Sequence, residues 1–424
     1  MALTIYGLGT AGESFRFAHD DLILTLQEGT PYTYRWQYVL QIKKAEGVTL
    51  SLITTMKAPP NENNAASFNI NRVIRSVCDK IVYDQSQQAN TLGYSNGNVS
   101  EFQFVAFSEY AATENGPILS GPTATGTLYM IDGGAQTYAD GYQAATANTY
   151  KLQGITSRAL TTHTNHYVKL GDRGGLAVLA NAAWGSEARS AQVVYYDASG
   201  SVLNSGSIPI PAETALSNNM RYVWLYPDGL EQQTADTDIQ PSAAGNAGWS
   251  YYRARIYDAT LSNERSQQYF FYRLDECGYG QQEARFMYLS SLGTWQWIWF
   301  RGQITELKET ERSYFTKSRG NYQQANATTA FNYTSLDRGR AQIVGKTTTK
   351  YECNSELLTD EQSPQVIELL NSRSVYINTL GQGASWYPCI VNTKSVEYKR
   401  QNFDEIVSYS IEVEMSNEST VPKL

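Results

Sequence analysis

Residues 273–300 read RLDECGYGQQEARFMYLSSLGTWQWIWF, and this stretch decides the fold. Two runs dense in aromatic and aliphatic side chains meet at Ser291-Leu292-Gly293-Thr294. In the second run Trp295, Trp297 and Trp299 occupy alternate positions. Strand side chains alternate between faces, so the three indoles line one side of a sheet. A helix, turning about 100° per residue, gives them no common face. The stretch therefore predicts a β-hairpin. Its tryptophan face has two readings. One is packing, in a core or an interdomain face where indoles bury large areas. The other is an exposed interface, an aromatic platform for sugar rings or for another subunit.

The same strand grammar extends outward. Residues 32–44 and 48–57 are apolar-rich runs split by Ala45-Glu46-Gly47, a second hairpin. Ala58-Pro59-Pro60-Asn61 ends the latter run. Strands are expected at 99–107, 125–131, 191–196, 202–210, 220–226, 249–257 and 268–274, with Asp197-Ala198-Ser199-Gly200 as a turn. Near the C-terminus Val407, Tyr409, Ile411, Val413 and Met415 alternate with polar residues, the pattern of a strand with one wet face. Two segments read as short helices. Residues 68–82 carry an apolar stripe through Ile70, Val73, Ile74, Val77 and Ile81; residues 359–370 have Thr359 or Ser363 as a cap and Pro364 in the first turn. The prediction is a mainly β chain of antiparallel β-sandwiches and sheets with one or two short helices. Three domains are expected: an N-terminal β domain over 1–134, a central β-sandwich over 135–303, and a linker or arm followed by an α+β domain over 304–424. Within these, 135–165 reads as a connector and 304–330 as an extended polar arm.

Composition narrows the functions. At 424 residues the chain is long for one domain. Only 17% of residues are charged while 12% are aromatic, including 31 tyrosines, which suits sheets and interfaces better than long helices. The net charge of −8 comes with no basic block, so direct binding to a phosphate backbone is not expected. No apolar run reaches the roughly 18 residues of a membrane span. The opening Met1-Ala2-Leu3-Thr4-Ile5-Tyr6-Gly7 lacks the basic and apolar regions of a signal peptide. Cys78, Cys277, Cys353 and Cys389 are widely spaced, which fits buried thiols in a reducing compartment.

Catalytic motifs are present only as fragments. Gly7-Leu8-Gly9-Thr10-Ala11-Gly12 matches G-x-G-x-x-G, but no βαβ unit follows and the acids at Asp20 and Asp21 come too early for a ribose. Gly93-Tyr94-Ser95-Asn96-Gly97 matches G-x-S-x-G without the strand before and helix after that a nucleophile elbow needs. His163 and His166 are spaced to share a metal, with Asp172 the nearest further ligand, yet loop histidines are the better reading. His19 lies beside Asp20 and Asp21 with no nucleophile in view. No catalytic, cofactor or metal site is expected.

Three segments together resemble virion structural proteins of tailed bacteriophages, of the tail, tail-hub or neck-ring type. The first is 36–71, a strand pair followed by Lys57-Ala58-Pro59-Pro60-Asn61 and Phe68-Asn69-Ile70. The second is the opening stretch, where Cys277 precedes a strand and a Gly-Thr-Trp turn. The third is 369–415, with Leu370-Asn371-Ser372, Val375-Tyr376-Ile377, Tyr387-Pro388-Cys389-Ile390-Val391 and Val396-Glu397-Tyr398-Lys399. The turn at 291–294 departs from the Asn- and Gly-rich form of such proteins. The resemblance implies a non-enzymatic, β-rich subunit, made in the host bacterial cytoplasm and located in the virion. It implies a homo-oligomeric ring that bridges neighbouring tail or neck proteins, with genome DNA passing nearby without specific binding. Two alternatives stand beside it: a receptor- or glycan-binding protein at the tail periphery, and a glycan depolymerase, which would call for a repetitive β-helix that the chain lacks.

Overall fold

The computed structural model describes residues 3–7, 15–29, 31–46, 49–79, 93–95, 99–134, 157–180, 189–210, 219–232, 236–258, 260–274, 283–316, 321–325, 328–332, 340–356, 358–359, 362–379, 386–395, 406–416 and 419–421. The chain is mainly β and divides into two compact units. One is Met1–Glu276 with Leu289–Gln296, and the other is Cys277–Tyr288 with Trp297–Leu424.

The first unit opens with a five-stranded sheet in the order Phe15–Phe17, Ile118–Ile131, Val99–Ala111, Tyr34–Glu46, Thr49–Ala58. All pairings are antiparallel except the first, which is parallel. The hairpin predicted around 45–47 forms, with Glu46 opposite Thr49; residues 47 and 48 lie outside the described ones. Alternation then decides the packing. Phe102, Phe104 and Ala106 of one strand and Tyr38, Leu40 and Ile42 of its neighbour are fully buried. They share one core with Leu24, Leu26 and Phe68 of a second sheet, ordered Leu3–Tyr6, Ile23–Glu28, Ala65–Asn69. Two sheets closing on one core is a sandwich. The helix expected over 68–82 is shorter at both ends, Asn71–Val77: Phe68 and Asn69 still pair with Leu24 and Ile23, and Cys78 is an extended C-cap. Residues 80–82 lie outside the described ones.

The rest of this unit holds a five-stranded sheet ordered Asn165–Val168, Tyr269–Arg273, Tyr251–Asp258, Arg189–Tyr196, Val202–Ile210. Its first pairing is parallel and the others antiparallel. The expected turn at 197–200 forms for a local reason. The Asp197 carboxylate accepts the Ser199 and Ser201 N–H groups, and Gly200 takes the left-handed φ of +81°. A three-stranded sheet joins Leu176–Ala180, Asn219–Val223 and Gly93–Ser95. Most of the expected connector, 135–156, lies outside the described residues.

The second unit is built on one sheet, ordered Trp295–Phe300, Ala284–Leu289, Val375–Thr379, Tyr387–Val391, Ser410–Met415, Arg340–Asn354, Ile304–Thr316, with Ser419–Val421 beside Arg340–Asn354. The helix Ser363–Asn371 buries Val366 and Leu369 in the core. Pro364 stands in its first turn as expected, but the cap differs. Gln362 is the N-cap and makes no side-chain cap bond. Thr359 instead belongs to a short strand, its N–H held by Gln362 Oε1, and the Ser363 hydroxyl donates back to the Thr359 carbonyl. The terminal strand is also broken in two. Ser355 intercepts the ladder: its N–H donates to the Tyr409 carbonyl and its Oγ accepts the Tyr409 N–H. Ile406–Val407 pairs with Leu358–Thr359 on one side of the break, and Ser410–Met415 enters the large sheet on the other.

Candidate functional site

The tryptophan hairpin forms where the sequence places it, between Ala284–Leu289 and Trp295–Phe300. Both of its faces are covered. On one, Phe286 meets Phe300 edge-on at 5.2 Å between centroids, and both join Tyr288 and Ile298 in the core of the second unit. On the other, Arg285 sits among Trp297, Trp299 and Trp386, its Cζ 6.0, 5.6 and 5.7 Å from the three ring centroids. A desolvated guanidinium among indole faces gains about 2 kcal/mol or more from the ring quadrupoles, and Arg285 is only 6% exposed. Trp295 and Trp297 are 4% and 5% exposed, and Trp299 is half-buried. A strand buried on both sides reads as a continuous apolar run, which is why the segment is so dense in large side chains.

Within the first unit the tip of this hairpin is tightly fixed. Gly293 adopts φ +74°, the Thr294 hydroxyl donates to the Leu160 carbonyl at 2.7 Å, and the Trp295 N–H donates to the Tyr222 hydroxyl at 3.0 Å. Gly133 lies so close that a Cβ there would fall 2.5 Å from the Leu292 carbonyl carbon. Leu160 and Gly133 had no signal in the sequence, because such contacts are long-range.

The structure describes the catalytic fragments in part. Gly7 bends the chain at φ +96°, while 8–12 lie outside the described residues. Gly93–Ser95 is a strand on the Asn219–Val223 edge, and the next described element is the strand Val99–Ala111 where an elbow needs a helix; Asn96 and Gly97 lie outside the described residues. His19 Nε2 meets the buried carboxylate of Asp132 at 2.9 Å, a partner 113 residues away that local reading missed. His163 and His166 do come together, with ring centroids 4.5 Å apart, but Asp172 accepts the Lys169 N–H instead. Among the described residues no group of three or more His, Cys, Asp or Glu side chains is placed to hold a metal. Burial pushes the Cys78 thiol up to about 11 and those of Cys353 and Cys389 up to about 12. All three are therefore protonated near neutral pH, unlike a nucleophilic cysteine.

A long exposed strand lies in the second unit. Ile304–Thr316, expected as an arm, is a 13-residue strand in which every residue from Thr305 onward is exposed. It pairs with Arg340–Asn354 along its whole length, with a bulge beside Tyr314. Among the described residues its outer edge has no strand partner. Cross-strand contacts hold it: Lys350 Nζ with Glu309 at 2.9 Å, Thr310 with Thr347 at 3.3 Å, and the Arg340 guanidinium 4.3 Å over the Tyr314 ring. Leu307, Tyr314 and Phe315 are nevertheless 53%, 45% and 36% exposed.

No family model matches the chain, and no curated protein does. Among solved structures, the fibronectin(III)-like modules of Clostridium thermocellum CbhA align with 66% of this chain and 100% of theirs, at 9% identity and a TM-score of 0.16. The native conformation of E. coli alpha-2-macroglobulin aligns with 99% of this chain and 31% of its own, at 8% identity and a TM-score of 0.19. At TM-scores this low neither likeness assigns a fold or a function.

Proposed function

We propose that this chain is a non-enzymatic structural subunit of a tailed-phage particle, in the tail hub or neck. It assembles with its own copies into a ring around the DNA channel and bridges neighbouring virion proteins. The observation that carries this reading is the exposed ribbon at Ile304–Thr316. It extends for about 40 Å at strand spacing and carries three exposed large apolar side chains. A narrow ribbon wet on both faces is only marginally stable alone, so it gains by being covered. Its charges also disfavour simple self-pairing. A two-fold centred on Thr310 sets Glu309 opposite Glu311 and Lys308 opposite Arg312, and one centred on Glu309 sets that carboxylate against itself. A contact between unlike patches avoids these clashes, and contacts of that kind close rings. The net charge of −8 suits a channel wall that must not grip DNA.

Mass photometry of the purified full chain tests the reading. A discrete multi-subunit mass is expected. Replacing Leu307, Tyr314 and Phe315 together by Ser, at exposed positions, is expected to shift it to monomer with unchanged circular dichroism. A wild-type chain that stays monomeric at high concentration and in mixtures with neighbouring tail and neck proteins refutes the proposal. Undiminished assembly of the triple variant refutes the role of the ribbon.

A further inference from the structure

We infer that the edge strand Asn165–Val168 is an acid-released latch, pinned by a neutral His166 in an aromatic box beside His163 and freed when the imidazoles take up protons. The strand has four residues and, among the described residues, one strand partner, running parallel to Tyr269–Arg273 with His166 opposite Phe271. His166 is 2% exposed and stacks on Phe271 at 4.8 Å with 15° between the planes. Tyr226 and Tyr269 close the box at 5.9 and 6.4 Å, and His163 stands at 4.5 Å. The single hydrogen bond of the His166 ring joins Nδ1 to the Tyr226 hydroxyl at 3.2 Å, and Nε2 is buried without a partner.

The groups around this box offer a second proton no compensation. From the 269–273 strand come Tyr269 and Phe271, which are neutral, while Arg273 lies over Trp249. From the 251–258 strand comes Tyr252, whose hydroxyl donates to the Leu225 carbonyl. On the segment before the Pro227–Glu231 helix lies Tyr226, and beyond it Asp228 is held by Arg173. Asp172 accepts the Lys169 N–H. Among the described residues the His163 ring nitrogens meet only the Thr162 hydroxyl, at 3.4 Å. Among the described residues neither imidazole meets a carboxylate, so a charge on the buried His166 is unpaired and a charge on both rings is repulsive. Burial accordingly lowers His163 to about 4 and His166 further, the neighbouring His163 adding to the latter effect. The weakest element holding the box is the short strand itself. Local opening at a sheet edge costs less than global unfolding, so acid frees this strand before the rest of the sheet.

Hydrogen exchange read by mass spectrometry on the full chain at pH 7 and pH 4.5, corrected for intrinsic rates, tests this. Protection across 163–168 and the facing 269–273 is expected to fall about tenfold or more in acid, while 189–196 and 251–258 keep theirs. His166→Phe, which fills the box and removes one of the two titrating rings, is expected to shrink the difference. Unchanged wild-type protection between the two pH values overturns the proposal, as does a His166→Phe protein that loses protection like the wild type. If that variant does not fold, imidazole proton NMR of the wild type decides. The chain has three histidines, few enough for each ring to be assigned by substitution. His163 and His166 resonances unshifted down to about pH 5 support the latch; titration of both near the ordinary imidazole value of about 6.5 sinks it.

Discussion

Phe286→Ala examines the reading that the hairpin is a two-faced core element. Phe286 is fully buried and its ring packs edge-on against Phe300 at 5.2 Å. Truncation removes on the order of 100 Å² of buried apolar area, about 2.5 kcal/mol at 25 cal/mol per Å². The aromatic pair adds about 1 kcal/mol, and a cavity left unrelaxed adds more. The expected loss is about 3 to 5 kcal/mol, at the level of other buried Phe truncations. The two compact units make a single global transition an unsafe reference. The assay is therefore urea unfolding followed together with hydrogen exchange in 284–289 and 295–300. Phe300→Ala alone and the double variant complete a cycle, with an expected coupling of about 1 kcal/mol because the rings touch. A Phe286→Ala loss below about 1 kcal/mol, or strict additivity with Phe300→Ala, refutes the assignment of this face to the core.

Three further outcomes follow from the geometry. Gly133→Ala forces a Cβ against the Leu292 backbone and is expected to cost about 1 to 3 kcal/mol, read as a lower urea midpoint; an unchanged midpoint refutes the close approach. Stability is expected to depend on pH through His163, whose folded value of about 4 lies below the unfolded value of about 6.5. The folded state binds fewer protons, so this contribution is full above pH 6.5 and is lost as pH falls toward 4. Its ceiling is about 3 kcal/mol, reduced because the side chain is only half-buried; His163→Gln, measured by urea titration across this range, is expected to flatten the slope. In a Cys277→Ser background, Ellman's reagent at pH 8 is expected to label Cys78, Cys353 and Cys389 slowly in the native protein and promptly in urea, since burial keeps the native thiols protonated. Prompt native labelling refutes their burial.

What the sequence reveals about this molecule is governed by the range of the interactions concerned. Alternation is a local signal, so the hairpin at 284–300, the pair at 34–58 and the turn at Asp197 are legible from adjacent residues. Strand ends are less so. Phe68 has a helical stripe beside it, yet its pairing with Leu24 comes from 44 positions away and overrides the local pattern. The same holds for the break at Ser408–Tyr409, which depends on Ser355. The five-residue helix Pro227–Glu231 is too short to display a period at all. Partners across a site are the hardest to read, as His19 with Asp132 and Thr294 with Leu160 demonstrate.

The two faces of the tryptophan strand also bear on where an interface belongs. An indole platform for sugars needs rings open to solvent, and Trp295 and Trp297 are almost wholly covered. Their contribution is rigidity: the large side chains fill both sides of one end of the sheet, and Arg285 is fixed among three indoles. The opposite end of the same sheet is the ribbon Ile304–Thr316, with solvent on both faces and its outer edge open among the described residues. A sheet anchored by a dense aromatic end can present a long, weakly stabilised end to a partner without fraying throughout, because strand pairing carries order from one to the other. The position of this exposed surface, and not the tryptophans that first mark the sequence, is why the proposed contact between copies is assigned to the ribbon.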